Sequence, residues 1–531
     1  MDKYCYGATI NRWLKYGSTF VLIFFIGLFF LWPLSKIIYE TFDRSTFKNE
    51  VSSGKFLKIF TVTFFQATLS TVFTLLLGIF PTYLISKWNF KLRKIISALI
   101  VVPFVLPSVV VGASFLKILP ENLHNTLIAV IAVHIFFNIA VIVKIVGATW
   151  EKIPNDLPDS SLTLGASKVK SFIYVTLPLL IPSVIFACSI VFIFCFTSYG
   201  AILIVGGIKN STLEVEIARQ ALTFGDVATS SVLSIIQIIF LSIVIVVSNI
   251  ISNKNKHLFN AIDTQRRELT TNRHRVLALL GSISIFLFVL VPIITLFISS
   301  IKYGNKFSFF AWKHLQPYEV RPGITNGISS ITSLITSLKI TLIALCLSIF
   351  IGLLATLIIY KTKFMSKIVE PLYMLPLGVS AVTLGLGILI TFSSSPFNWR
   401  SNWIFIPISH SLIAIPFFIR TMLPALNAKS KDLSNASFTL GASPIRSIWE
   451  IDLKRTKNAF SKSIGFCAAI SLGEFGATSL LTKTGNDTAP VAIAKLLSRP
   501  GELSSLQAYM LSSVLALVIG SIVFLVEVRN A

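Results

Sequence analysis

Two pentapeptides in this chain are identical. Thr163-Leu164-Gly165-Ala166-Ser167 recurs as Thr439-Leu440-Gly441-Ala442-Ser443, at an offset of 276 residues. Small residues around a glycine suit a short helix that turns at the glycine and fits closely into a cleft on a partner. That is recognition chemistry, not bond making. An ordinary capped loop with glycine at a helix end uses the same residues. Two copies at one spacing weigh towards docking.

Residues for catalysis are missing. Gly206-Gly207-Ile208-Lys209-Asn210-Ser211 lacks the spacing of a phosphate-binding loop. The sequence shows no His/Cys/carboxylate cluster and no nucleophile motif, so we expect no enzyme, cofactor or metal in this chain. Cys5, Cys188, Cys195, Cys346 and Cys467 read as buried free thiols, because no metal-type or disulfide-type spacing occurs. His134 and His410 share the offset of 276 and read as buried, hydrogen-bonded histidines. Glu474 is the one acid expected within or at the outer end of an apolar run. Such acids cost about 2.5–3.5 kcal/mol on insertion scales and face a cavity or a partner. It has three open roles: contact with a cation, pairing with a basic residue, or capping a helix mouth.

The elements that position these residues follow from composition. Of 531 residues, 54% are hydrophobic and 13% charged, about half the ~25% charged share of an ordinary soluble domain. A mean hydropathy of +0.81 requires apolar surface facing something other than water, and the lipid bilayer supplies it. The net charge of +24 would suggest nucleic acid in a soluble protein. Here the basic residues fall between long apolar runs and read as topology signals, so no nucleic acid is expected.

A spanning helix needs about 20 mainly apolar residues. Twelve candidates result, near 17–39, 59–86, 95–119, 124–147, 179–203 and 230–252, then 275–300, 331–360, 370–392, 403–425, 459–482 and 507–527. The first follows Lys3, Arg12 and Lys15 and is too long for a signal peptide of about 7–15 apolar residues, so it reads as an uncleaved span. Dense clusters such as Lys87/Lys91/Arg93/Lys94, Arg266/Arg267/Arg273/Arg275 and Lys454/Arg455/Lys457 place both termini in the cytoplasm. Lys48, Lys55, Lys58, Lys302, Lys306 and Lys313 moderate that bias in the outer loops.

The offset of 276 also pairs Lys144 with Arg420, Tyr199-Gly200-Ala201 with Phe475-Gly476-Ala477, and Arg219 with Lys495. An offset of 273 pairs Pro103 with Pro376 and Gly112 with Gly385. The chain is therefore duplicated. Residues 1–252 form a first repeat, 253–275 a cytoplasmic linker, and 276–531 a second repeat. An even number of spans gives both copies one orientation, with a substrate path between them. Two classes use such a plan: secondary carriers of the major facilitator type, and fused permeases driven by a separate ATPase.

The pentapeptides separate the two classes. They lie in inner loops at about 150–178 and 426–454. The first loop runs Asp159-Ser160-Ser161-x3-Gly165-x9-Val175-Thr176-Leu177-Pro178, and the second Asn435-Ala436-Ser437-x3-Gly441-x9-Ile451-Asp452-Leu453-Lys454. This resembles the cytoplasmic "EAA" loop of ABC importer permeases, Glu-Ala-Ala-x3-Gly-x9-Ile-x-Leu-Pro. Neither copy has the leading Glu, and the second ends in Lys454, so only Asp159 can make a salt bridge from that position. The resemblance implies an all-α integral membrane protein with the type I ABC importer permease fold. It implies coupling helices at Ser160, Ser161, Gly165, Ala166 and Ser167 and at Ala436, Ser437, Gly441, Ala442 and Ser443. It also implies an ABC ATPase dimer on the cytoplasmic side, which binds ATP and Mg, and an extracytoplasmic substrate-binding protein.

Further segments narrow the resemblance. Thr197-Ser198-Tyr199-Gly200-Ala201, Gly206-Gly207, Thr212-Leu213-Glu214-Val215-Glu216-Ile217, His134-Ile135-Phe136-Phe137-Asn138 and Ser471-Leu472-Gly473-Glu474-Phe475-Gly476-Ala477 resemble fused permeases for ferric iron and thiamine. Ferric iron is the first expected substrate and thiamine the next. The resemblance makes Ser198, Tyr199, Glu474 and Phe475 candidates for the translocation path or outer gate. It also makes Glu214, Glu216 and Arg219 candidates for contact with the binding protein, on a helix presenting Leu213, Ile217 and Ala221. A helix lying in the membrane interface is the alternative for that segment.

Overall fold

The computed structural model describes residues 12–41, 54–207, 210–253, 266–304, 306–317, 319–321, 324–325, 328–393, 398, 403–428, 432–483 and 485–530. Lys3, Cys5, Lys48, Ile208, Lys209, Lys429, Lys431 and the linker stretch 254–265 lie outside the described residues, as do the side chains of Arg12, Lys15 and Asn435.

Each repeat contains ten corresponding helices. In the first they are α1 (Tyr16–Glu40), α2 (Gly54–Lys87), α3 (Arg93–Val105), α4 (Ser108–Ile118), α5 (Leu127–Lys152), α6 (Asp156–Thr163), α7 (Lys168–Phe196), α8 (Gly200–Val205), α9 (Leu213–Arg219) and α10 (Val227–Asn253). In the second they are α11 (Asn272–Ile301), α12 (Ser330–Lys361), α13 (Phe364–Gly378), α14 (Ala381–Thr391), α15 (Phe405–Asn427), α16 (Asp432–Thr439), α17 (Lys457–Gly473), α18 (Gly476–Leu481), α19 (Ala489–Leu497) and α20 (Glu502–Asn530).

Among the described residues nine helices are long and apolar enough to cross a bilayer, or up to 11 if each bent pair is one span. The runs expected as straight spans near 95–119 and 370–392 are bent pairs. α3 meets α4 at 101° and α13 meets α14 at 102°. In the first pair Pro107 forces Leu106 into extended backbone (φ −63°, ψ 145°). In the second, Ser380 restarts the helix by accepting the Thr383 N–H at 3.1 Å. The run expected at 459–482 is also interrupted: α17 has 17 residues and stops at Gly473, and α18 begins at Gly476.

Glycines let these short helices touch. A Cβ on Gly112 would lie 3.0 Å from Ile204, and one on Gly385 would lie 2.9 Å from the Cα of Ala477. At Gly112 the neighbour is the Ile204 side chain and at Gly385 it is the Ala477 backbone, and these close approaches pack α4 on α8 and α14 on α18.

The repeats exchange their first helices. α1 packs on α12, α13 and α14, and α11 packs on α2, α3 and α4. The packed units therefore cross the covalent boundary between repeats. One apolar core accordingly holds Val109 and Phe136 together with Leu472, Tyr509 and Ile519. Glu527 at the end of α20 joins the halves again, pairing with Lys144 of α5 at 3.0 Å and Lys462 of α17 at 2.5 Å. Lys144 is thus held in an ion pair.

The thiols divide. Cys195 and Cys467 are buried and Cys188 is half-buried, as free cysteines, whereas Cys346 is exposed. The expectation of a buried thiol fails there because Cys346 falls on an outward side of α12, where apolar surface needs lipid and not protein to cover it.

Candidate docking and gating sites

α6 and α16 are built alike. Gly165 ends α6 with φ +87°, the Gly165 N–H donates to the Leu162 carbonyl at 3.0 Å, and the Ala166 N–H donates to the Ser161 carbonyl at 3.0 Å. In the second repeat Gly441 has φ +82° and the Ala442 N–H donates to the Ser437 carbonyl at 2.9 Å. This is a left-handed glycine cap, so the capped-loop geometry is present in both copies. Ser167 and Ser443 then cap the next turn, accepting the Lys170 and Arg446 N–H groups at 3.3 Å. Pro178 lies inside α7, just after its π-helical turn Phe172–Thr176.

The serines do more than fill space. The Ser161 hydroxyl donates to that of Ser171 at 2.5 Å, and the Ser437 hydroxyl to that of Ser447 at 2.9 Å. The first bond staples α6 to the start of α7, and the second staples α16 to the helical turn Pro444–Ser447, which leads into α17. Ser171 and Ser447 carried a signal that sequence reading passed over: they too are 276 apart. Span two is tied in as well. Lys87 donates to the Ile153 carbonyl at 2.5 Å, and its counterpart Lys361 pairs with Asp452 at 3.0 Å. Leu164 and Leu440, at the two tips, are 89% and 88% exposed. Ser160 bonds only within its helix, to the Asp156 carbonyl, and Ala436 is exposed. Asp159 pairs with Arg267.

The gate candidates come together from opposite repeats. Tyr199 and Phe475 stack with ring centroids 5.1 Å apart and planes 13° apart. A Cβ on Gly200 would lie 2.9 Å from the Phe475 ring and would also meet the Ser108 hydroxyl. Ser198 lies half-buried in the turn before Tyr199.

Glu474 sits beside this stack but does not face open space. Its oxygens accept the Ala477 N–H at 2.9 Å, the Thr478 N–H at 3.0 Å and the Thr478 hydroxyl at 2.6 Å. His410 Nε2 lies 3.3 Å away. Of the roles left open for it, cap and partner to a basic group are the ones its geometry fills. His410 is held further by Ser471 at 2.9 Å and Thr478 at 2.7 Å. His134 has Ser70 at 3.1 Å. Both are buried, hydrogen-bonded histidines.

The helix expected to meet a binding protein is turned inward. Glu214 is 1% and Glu216 0% exposed, and Leu213 and Ile217 are buried with them. Neither acid can touch a docked protein. Glu216 pairs with Lys55 at 2.9 Å and Arg219 at 2.5 Å. Burial works to raise its carboxyl, but the bonds from Lys55, Arg219 and Gln220 outweigh it and hold it below the usual value. Glu214 accepts from Gln237 at 2.6 Å and from Ser380 and the Val382 N–H of the other repeat. Burial pushes its carboxyl up to about 7. The expected outward face fails here because the seven-residue helix is packed on both sides, so Glu214 and Glu216 turn inward to their partners while Arg219 stays half-buried.

The sequence of this twice-built site has counterparts. The chain matches the profile of the family described as binding-protein-dependent transport system inner membrane component over residues 74–255 and again over 348–530. Both matches leave out the exchanged helices α1 and α11. The thiamine transport system permease protein ThiP of Haemophilus influenzae is 23% identical over 496 residues, spanning 88% of this chain and 87% of its own. The ferric transport system permease protein FbpB of Actinobacillus pleuropneumoniae is 24% identical over 500 residues, 87% of this chain and 69% of its own. The putative 2-aminoethylphosphonate transport system permease protein PhnV of Salmonella typhimurium is 28% identical over 169 residues, 32% of this chain and 63% of its own. A carrier of the major facilitator type is not favoured by these relatives. The chain belongs to the binding-protein-dependent transport system inner membrane component family and is a fused membrane permease that carries the family's domain twice.

Proposed function

We propose that this permease imports a small solute by ATP-driven alternating access, with α6 and α16 as the docking points of an ABC ATPase dimer. One observation carries the reading: two equivalent leucines, Leu164 and Leu440, stand almost fully exposed on identical glycine-capped tips. Burying such a side chain in a partner's cleft contributes about 1.5–3 kcal/mol. The first tip is stapled to α7 and the second to the turn Pro444–Ser447 that leads into α17, and α7 and α17 end next to Tyr199 and Phe475. Closure of the ATPase pulls the tips together, α7 and α17 swing, and the aromatic stack opens. Release of nucleotide resets it.

In this reading ATP and Mg bind the partner and not this chain. The docking face and both termini are cytoplasmic, and an extracytoplasmic binding protein delivers solute to the gate side. Residues 1–252 and 276–531 act as the two coupled units. Ferric iron and thiamine are the candidate substrates, because relatives that match over most of this chain are named as thiamine and ferric transport system permeases.

Co-purification and uptake test the proposal. The chain should retain an ATPase after mild detergent extraction. Proteoliposomes holding the complex and its binding protein should take up radiolabelled ferric iron or thiamine only with ATP. Uptake by the chain alone, driven by a proton gradient, would overturn it. Cysteines at Ser167 and Ser443 should react with impermeant reagents in inverted vesicles, and labelling from outside intact cells would reverse the orientation.

A further inference from the structure

The segment joining the repeats is ordered where it reaches α11, and it lies against the first docking helix. Strand β1 (Trp88–Asn89), just after α2, pairs in parallel with β2 (Arg267–Glu268). Asn89 donates to Glu268 at 2.7 Å, the Arg275 guanidinium donates to the Leu269 carbonyl at 3.1 Å, and the Trp88 ring packs at a tilt on the His274 ring with centroids 4.4 Å apart. Arg266 pairs with Glu151, and Arg93 lies 3.8 Å from the same carboxylate. Arg267 thereby reaches Asp159, the residue at the leading position of the docking motif.

An exposed ion pair standing alone contributes little, because two long side chains must be ordered in water. Arg267 is different. Backbone pairing and four neighbouring contacts hold its main chain before the ion pair forms, so little further order is lost. The second docking helix carries Asn435 at the equivalent position, which has no charge for such a bond.

We propose that Arg267 is a positioning residue for the first docking helix: by holding Asp159 within the same chain, the inter-repeat segment sets α6, and docking on that side rests on the apolar tip at Leu164. The proposal rests on the reading of α6 and α16 as ATPase docking points. It makes the two sides unequal, one strapped by its own chain and one not.

Two measurements separate it from that reading. In the purified chain alone, hydrogen–deuterium exchange of α6 in Arg267→Ala should rise about tenfold while α16 stays as in the wild type. Unchanged exchange in α6 overturns the strap, whatever the partner. In the reconstituted complex, Arg267→Ala should still bind the ATPase and hydrolyse ATP, but solute moved per ATP should fall at least threefold. The exchanged pair Arg267→Asp with Asp159→Arg should recover to within twofold of wild type. A merely structural role would lower complex yield and leave the transport ratio of the surviving complexes intact, and that result also overturns the proposal. If the wild-type chain binds no ATPase, the docking reading fails while the exchange measurement still decides the strap.

Discussion

Tyr199 and Phe475 occupy equivalent positions in the two repeats, and their rings lie stacked at 5.1 Å across the interface between them. A residue that meets its own duplicate sits on the pseudo-twofold axis. In the alternating-access reading proposed above, that is the place for a gate.

Truncating the stack should loosen the closed state. An aromatic pair contributes about 0.5–1.5 kcal/mol beyond the area it buries. Tyr199→Ala or Phe475→Ala should therefore raise ATP-independent leak of solute through proteoliposomes severalfold. Gly200→Val should do the same, because its side chain would enter the space of the Phe475 ring. Leak equal to wild type in all three would remove the gate.

The docking tips should separate binding from folding. Leu164→Glu and Leu440→Glu change exposed side chains, which ordinarily shifts stability by less than about 0.5 kcal/mol. ATPase retention on affinity purification should fall more than tenfold with an unchanged melting temperature. The glycines behave differently. Nothing lies within 4 Å of a Cβ at Gly165 or Gly441, so the cost there is the left-handed backbone, about 1–2 kcal/mol for an ordinary residue. Gly165→Asn should keep most coupling and Gly165→Val should lose it. Equal activity of the two would refute the cap as the reason for glycine.

Glu474→Gln should act on stability. Each carboxylate oxygen faces a backbone N–H, and an amide must turn its NH2 towards one of them. Leaving a buried donor unmet costs about 1–3 kcal/mol. The melting temperature should drop while uptake per folded molecule holds. Lost uptake at an unchanged melting temperature would instead put the carboxylate on the path.

Glu214 should make stability depend on pH. Its carboxyl is raised from 4.5 to about 7 in the folded protein. The folded state thus binds this proton more tightly than the unfolded state. The contribution is most favourable below about 4.5, falls as pH rises through 7, and is level beyond. Between pH 5 and 8 the melting temperature of Glu214→Gln should lose this downward component. An identical slope in variant and wild type would exclude Glu214 as its source.

Much of the site was readable from spacing. An offset of 276 identified the two glycine-capped loops, the paired histidines and the aromatic positions, because duplication copies the residues that keep a shared geometry. Leu164 and Leu440 lay inside the repeated pentapeptide, yet no sequence rule shows that a leucine points into water. Arg267 was one more cationic residue in a basic cluster. Its partner Asp159 is 108 residues away along the chain, and no period or motif spans that gap.

The sequence alone determined a bilayer protein, two copies of one plan, and where the two glycine-capped short helices fall, because apolar run length, charge placement and repeat offset are local quantities. Tertiary structure decided the rest. It bent two spans at a proline and at a serine cap, exchanged α1 and α11 between the halves, turned Glu214 and Glu216 inward, and gave Glu474 to a helix end and a histidine. Each of these depends on which surfaces meet, and a buried charge takes whatever partner the packing brings within reach.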